Sequence, residues 1–351
     1  MDKPLLCHVN LAKGYRGGER QTELSITESL KSNTYKVIAV LRKNGQLARK
    51  LKNTHGLKIF EVSSVLGGHF SIPKNIKVIT HAHDGKSVYW AFLQSIIRKS
   101  PYLITRRVDH ELKNRWLTKK AYTHANFVIA ISSQIAKYLQ SHLKRDIPII
   151  PDASDFEILF ETERKSDKKI KSFFMAGALV DSHKGQTIAI EAMKLATEGE
   201  TLDIYGDGPD KDKLAQLITN QGLETRVRIH PWNNDLQTLC KRHDAFIMAS
   251  RHEGLGSIVI DVMRSRLPII SSDAGGLIDL VKNNETGLVF EKNNPRSLFE
   301  KISELNSNTY IKEITDNAFK FSMELTPKNM HQAYTQHYKL LLKACNESAN
   351  A

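Results

Sequence analysis

Glu253 and Asp261 stand eight positions apart in the stretch Ser250–Asp261, S-R-H-E-G-L-G-S-I-V-I-D, with the turn Gly254-Leu255-Gly256-Ser257 between them. The segment before it, Asp244–Ala249, reads as a short buried strand, and Ile258–Arg264 carries the apolar positions of a helix. A strand, a glycine turn and a helix start gather free backbone N–H groups at one point, a ready site for anionic groups. Glu253 then sits at the carboxyl end of the strand. Asp261 sits about two turns into the helix, on the face that continues toward the ligand. This arrangement suits a sugar nucleotide, with one carboxylate on the sugar and the other on the ribose.

The pattern E-G-x-G-x4-[E/D], followed by P-I-I-S-S-D-A-G-G-L-I-D with its Ala274-Gly275-Gly276, resembles the donor-site signature of glycosyltransferase family 4. In that family the second acid is usually Glu; here Asp261 is one methylene shorter. The resemblance implies a retaining enzyme of the GT-B fold. It extends to Phe173–Gly185, F-F-M-A-G-A-L-V-D-S-H-K-G, where Lys184-Gly185 matches and implies that Lys184 neutralises the donor diphosphate. Ala178 stands where the family has Arg, which leaves His183 or Arg251 to compensate. Leu202–Pro209 resembles the family's strand ending in G-x-G-P, and Val227–Trp232 stands where the nucleotide base is expected.

In the first half, Gly17-Gly18-Glu19 is similar to the family's N-terminal glycine pair, which lets backbone approach a diphosphate or an acceptor closely. Ile104–Glu111, I-T-R-R-V-D-H-E, is the acceptor and catalytic candidate, with Arg107, Asp109 and His110 as alternative occupants of the family's histidine position. An Arg pair at a strand end is also a phosphate clamp. His81-Ala82-His83-Asp84 has a spacing that suggests a metal, but the sequence shows no further ligand beside it and no D-x-D motif. Family 4 generally works without a metal, so neither metal nor cofactor is expected; the nucleotide sugar is a substrate.

At 351 residues the chain has room for two domains of about 150 residues each. No apolar run approaches the ~20 residues of a membrane span, and the short run Leu5–Val9 fits a first core strand instead of a signal peptide. Cys7, Cys240 and Cys345 are isolated, an arrangement expected of a reducing cytoplasm. Charge is unevenly spread. Residues 1–155 hold 26 Lys+Arg against 11 Asp+Glu, whereas residues 156–351 hold 25 against 27. No nucleic-acid motif accompanies the basic half. A phosphorylated or lipid-linked glycan acceptor, or an anionic membrane leaflet, accounts for it instead. Tyr89, Trp90, Phe92 and Trp116 lie among Arg98, Lys99, Lys113, Arg115, Lys119 and Lys120, a composition that suits a membrane interface.

These residues need strand ends and helix starts to position them, and strand-like and helix-like segments alternate almost throughout. The expected fold is α/β of the GT-B type: two Rossmann-like domains with parallel sheets facing across a cleft. Residues 1–160 form the acceptor domain, 161–328 the donor domain, and 329–351 a helix returning to the first domain. Glu161–Lys171, rich in charge, reads as the linker. The implied reaction moves a sugar from a nucleotide donor to a lipid-linked or oligosaccharide acceptor, in lipopolysaccharide-core or surface-glycan assembly. The expected location is the cytoplasm, peripheral on the inner face of the membrane. A sugar-nucleotide epimerase and a non-catalytic glycan- or lipid-binding relative are the alternatives.

Overall fold

Strand β1 (Leu5–Asn10), L-L-C-H-V-N, is buried at every position, as a strand covered on both faces must be. With β2 (Lys36–Arg42), β3 (Lys58–Val62), β4 (Val78–Ala82), β5 (Tyr102–Arg106) and β6 (Phe127–Ala130) it forms a parallel sheet in the order β3-β2-β1-β4-β5-β6. A second parallel sheet holds β7 (Ser172–Ala176), β8 (Thr201–Tyr205), β9 (Val227–His230), β10 (Ala245–Met248), β11 (Ile269–Ser272) and β12 (Leu288–Phe290). Its order is β12-β11-β10-β7-β8-β9. The computed structural model describes residues 3–72, 78–157, 170–196, 199–307 and 310–350.

Both sheets follow one path: two strands run outward from a central one, then the chain crosses back and continues on the other side. This is the doubly wound, Rossmann-like topology, and the two together give the GT-B pattern expected from the sequence. The direction reverses between β1 and β4 and between β7 and β10, so ligand sites belong outside the carboxyl ends of those strands. One compact unit comprises Met1–Ala153 with Leu325–Ala351, and the other Ser154–Glu324.

Period-two alternation sorts each strand's side chains onto two faces. In β1, Leu5, Cys7 and Val9 join one cluster with Ile38, Val40 and Trp90. Leu6 joins the other, with Val37, Ile79 and Leu103, and with Tyr334, Tyr338 and Leu341 of the helix Pro327–Asn350. That last helix packs on the helix Gly17–Ser32 and on β4. The second unit is filled by Phe173, Met175, Ile247, Leu288 and Leu298.

The expected strands Leu5–Val9 and Asp244–Ala249 fall within a residue of β1 and β10 at each end. Residues 161–169 of the linker segment Glu161–Lys171 lie outside the described residues. The aromatic residues of the basic region divide. Trp90 and Phe92 are buried; Trp90 stacks on His69 at 4.6 Å and donates to the Gly67 carbonyl at 2.7 Å. Trp90 joins the cluster around β1, whereas Phe92, two residues on, meets the His124 ring edge-on at 5.7 Å. Trp116, by contrast, is 71% exposed. Among the described residues no helix is long and apolar enough to cross a membrane, and Cys7 and Cys240 are buried and form no disulfide.

Candidate active site

At the β7/β10 switch point, β7 runs into Gly177 and a one-turn helix, Asp181–Lys184, while β10 runs into Ser250–Glu253. The Lys184 ammonium donates to Glu253 Oε2 at 2.5 Å, and the Ser250 hydroxyl donates to the same oxygen at 3.2 Å. Two glycines set this pair in place. Gly185 has φ +63°, and a Cβ there would lie 2.1 Å from the Ala249 carbonyl oxygen, so the lysine's turn rests directly on the end of β10. Gly275 has φ +59°, and its Cβ would lie 1.9 Å from the Glu253 carbonyl oxygen, which accepts from Gly276 N at 3.0 Å. Sequence reading marked Gly275 only by resemblance; its close approach to Glu253 needs the β10–β11 pairing to become visible.

Gly254, Leu255 and Gly256 are buried and Ser257 opens the helix Ser257–Arg264. Asp261, 4% exposed, lies on that helix and accepts a hydrogen bond from the Ser154 hydroxyl. Arg251 is tied down: its Nε donates to the Asp181 carbonyl at 3.1 Å, its Nη2 to Thr187 Oγ1 at 2.7 Å and to Asp181 Oδ2 at 3.3 Å, and its Nη1 to Asn293 Oδ1 at 2.5 Å. His183 precedes Lys184 and its ring lies 6.1 Å from that of His252. Trp232 is 47% exposed, with its backbone N–H donating to Asp207 Oδ2 at 3.2 Å. Ser154, Asp181 and Thr187 were not singled out in the sequence, because nothing in their local spacing marks them as partners.

In the first unit Gly17 and Gly18 open the helix Gly17–Ser32 beside the β1/β4 switch point. Asp84 Oδ1 accepts from Leu11 N at 2.8 Å and from Ser87 N at 3.2 Å, joining the end of β1 to the start of the helix Gly85–Arg98. The structure brings Gly18, Arg107, His83 and Asp152 together. Arg107 passes under Gly18, donates from Nε to Asp152 Oδ1 at 3.0 Å, and reaches His83 Nδ1 at 3.3 Å. Asp109 and His110 pair with each other at 3.9 Å. Arg106 donates to Tyr122 OH at 3.1 Å and to the His110 carbonyl. Of the three alternatives, only Arg107 joins the buried centre.

His81 and His83 have a third imidazole beside them. Register pairs His8 with His81 across β1 and β4, and one ligand nitrogen from each of the three lies within 4.8 Å of the others, a geometry able to hold a metal ion. The ring nitrogens are also joined in one-way hydrogen-bond chains. Ser29 Oγ donates to the Ser25 carbonyl at 2.7 Å, so His8 Nε2 donates to Ser29 at 3.2 Å. His8 Nδ1 therefore accepts from His83 Nε2 at 2.9 Å, and His83 Nδ1 is left to accept from Arg107. His81 lies 2.8 Å from the Thr105 hydroxyl and 2.7 Å from that of Tyr338. Burial, reinforced by His331 and Arg107, pushes His8 down to about 3. His81 and His83 are lowered well below the usual range, first by burial and then by neighbouring imidazoles and Arg107.

Residues 155–321 match the family model "Glycosyl transferases group 1". An uncharacterized glycosyltransferase of Methanocaldococcus jannaschii is 27% identical over 291 residues, 79% of this chain and 80% of that one. A lipopolysaccharide core biosynthesis glycosyltransferase of Rhizobium meliloti is 32% identical over 108 residues, 31% of this chain and 32% of its own length. Among solved structures, Anabaena HepE, in complex with UDP, superposes with a TM-score of 0.82 at 18% identity, covering 96% of this chain and 99% of that one. The matched module contains the Lys184–Glu253 pair and both switch-point loops of its sheet. The protein is therefore a glycosyltransferase of the GT-B fold whose residues 155–321 match glycosyl transferases group 1, and it resembles bacterial transferases of lipopolysaccharide cores and surface glycans.

Proposed function

We propose that the protein is a retaining transferase of glycosyltransferase family 4 that adds a sugar to a lipid-linked or oligosaccharide acceptor in lipopolysaccharide-core or surface-glycan assembly. The Lys184–Glu253 pair at the β7/β10 switch point carries this reading. Lys184 takes the diphosphate and stabilises the charge that develops on the leaving nucleotide, with the amides of Gly254–Ser257 beside it. Glu253, released from Lys184, orients hydroxyls of the transferred sugar. Asp261 serves the ribose side of the site while holding Ser154. Gly17, Gly18 and Arg107 shape the acceptor side, and Asp109 and His110 follow Arg107 in its loop. The lipopolysaccharide-core relative of Rhizobium supports the acceptor class, and the UDP bound to the Anabaena protein supports a uridine nucleotide.

Turnover of a nucleotide-sugar panel, read as nucleotide release with and without extracted core glycolipid, tests this. Lys184→Ala is expected to lower the rate about 10²-fold, as loss of one preorganised charge does. Glu253→Gln is expected to reduce kcat more than Asp261→Asn, because only Glu253 meets the reacting sugar. Unchanged turnover in a folded Lys184→Ala protein would remove the lysine from the diphosphate. A larger kcat loss for Asp261→Asn would reverse the two acidic roles.

We further propose that the first unit rests on an anionic cytoplasmic leaflet. Exposed Trp116, Leu117, Ile96 and Ile97 stand among Lys113, Arg115, Lys119 and Lys120, in the half that carries the basic excess. Co-sedimentation with anionic vesicles is expected to fall as salt rises, since the Debye length shrinks from ~10 Å at 0.1 M to ~3 Å at 1 M. It is also expected to fall with Trp116→Ser and with Lys119→Glu/Lys120→Glu. Equal binding to neutral vesicles would count against the proposal.

A further inference from the structure

Building on the donor reading above, we propose that His183 and His252 clasp the donor's diphosphate as a pair and take up a proton when it arrives. Their two loops are stapled at a single atom: the His183 carbonyl accepts from Arg251 N at 2.8 Å and from His252 N at 3.3 Å. The staple sets the rings 6.1 Å apart, inclined at 65°, immediately before Lys184 and Glu253 in their respective loops. His252 is exposed and His183 half-exposed.

Charge makes the case. On the β7 side stand Asp181, Lys184 and Asp210, whose carboxylate accepts from Asp181 N at 2.7 Å; on the β10 side stand Arg251 and Glu253. Asn293, from the segment after β12, meets Arg251 and brings no charge. Two cations thus face three carboxylates, and each cation is already paired: Lys184 with Glu253, Arg251 with Asp181. A nucleotide-sugar diphosphate brings two more negative charges. With Arg251 locked to Asp181, Thr187 and Asn293, a positive charge gained from within these two loops comes from an imidazole, the side chain that ordinarily ionises near neutral pH. An imidazolium also donates charge-assisted hydrogen bonds to phosphate oxygens, roughly twice as strong as neutral ones. Ala178, with no charge of its own, has its carbonyl taken by Gln186 Nε2 at 2.9 Å.

Isothermal titration of the full chain with UDP-glucose, UDP-galactose and GDP-mannose, in two buffers of different ionisation enthalpy, reads the proton directly. The diphosphate diesters of these donors do not themselves titrate near neutrality. Uptake of about one proton per donor bound is expected, with Kd rising up to about tenfold per pH unit between about pH 6 and 8. The His183→Gln/His252→Gln protein is expected to bind with no uptake and a flat Kd. Donor binding by the wild type without uptake, or uptake that survives in the double variant, would overturn the inference and leave the donor reading standing. Failure of all three donors to bind would overturn both.

Discussion

Gly275→Ala is expected to leave a folded protein with turnover reduced by about 10²-fold or more, the loss that follows when a catalytic group shifts by about 1 Å. The new Cβ would stand 1.9 Å from the carbonyl oxygen, 2.9 Å from the carbonyl carbon and 3.1 Å from the nitrogen of Glu253. All three are backbone atoms, so no rotamer change relieves the clash. The turn that carries Glu253 must move, and with it the carboxylate that meets Lys184. The left-handed φ of +59° adds about 1–2 kcal/mol of its own for a residue with a Cβ. Gly222→Ala is the matched control. It too has a positive φ, +66°, but nothing lies within 4 Å of its would-be Cβ, so it should lose some stability and keep its activity. Circular dichroism and steady-state kinetics on both variants separate the two effects. Wild-type kcat in Gly275→Ala would show that Glu253 tolerates displacement and that the strand-end geometry is not what sets its role.

Acid is expected to unfold the protein through its buried imidazoles, beginning as pH falls below about 6.5. His8 is lowered from 6.5 to about 3, and His81 and His83 are lowered well below 6.5, so the folded state holds fewer protons than the unfolded chain across this window. Above the unfolded value both states are neutral and the contribution to stability is intact. Below it, the unfolded chain gains protons that the fold refuses, and stability is lost as pH drops toward the folded value. Each imidazole that stays neutral costs about 1.4 kcal/mol per pH unit, so three cost about 4. Against a total stability of about 5–15 kcal/mol, about one to four pH units suffice. The helix Pro327–Asn350 should detach with the transition, since Tyr338 meets His81 at 2.7 Å and Tyr334 meets Thr105 at 3.0 Å. Urea titrations from about pH 7 to 5, with proton uptake on unfolding measured alongside, test this. A flat stability curve over that range would mean that the cluster accepts protons in the native state.

Much of the architecture was legible in the chain because its signals are local. Parallel strands buried on both faces read as short apolar runs, and glycine turns between them mark where strands end. The segments F-F-M-A-G and A-F-I-M therefore announced β7 and β10, and Lys184 and Glu253 could be placed at strand ends before their meeting was seen. Counting alone put Asp261 on the helix after the glycine turn, about two turns in; it stands four residues after Ser257, just over one turn into that helix. Its partner, Ser154, lies 107 residues away, and no periodicity reports a contact of that separation.

What the sequence determined by itself was the alternation of elements, the residue types at strand ends and the uneven charge, each set by neighbours along the chain. Tertiary structure decided which strand ends meet. His8 and His81 become partners only because β4 crosses back to pair with β1 after β2 and β3 have gone the other way. That crossing turned a His-x-His pair, set aside for want of a third ligand, into a cluster of three. In the same way Arg107, one of three alternatives in its loop, meets Asp152 and His83, which come from other segments of the chain. Arg251, offered with His183 as a stand-in for the arginine that Ala178 replaces, is held by Asp181, Thr187 and Asn293. Spacing fixes the face of a helix or strand on which a side chain stands; only the packing of distant segments decides whether its charge is already neutralised or left for a ligand.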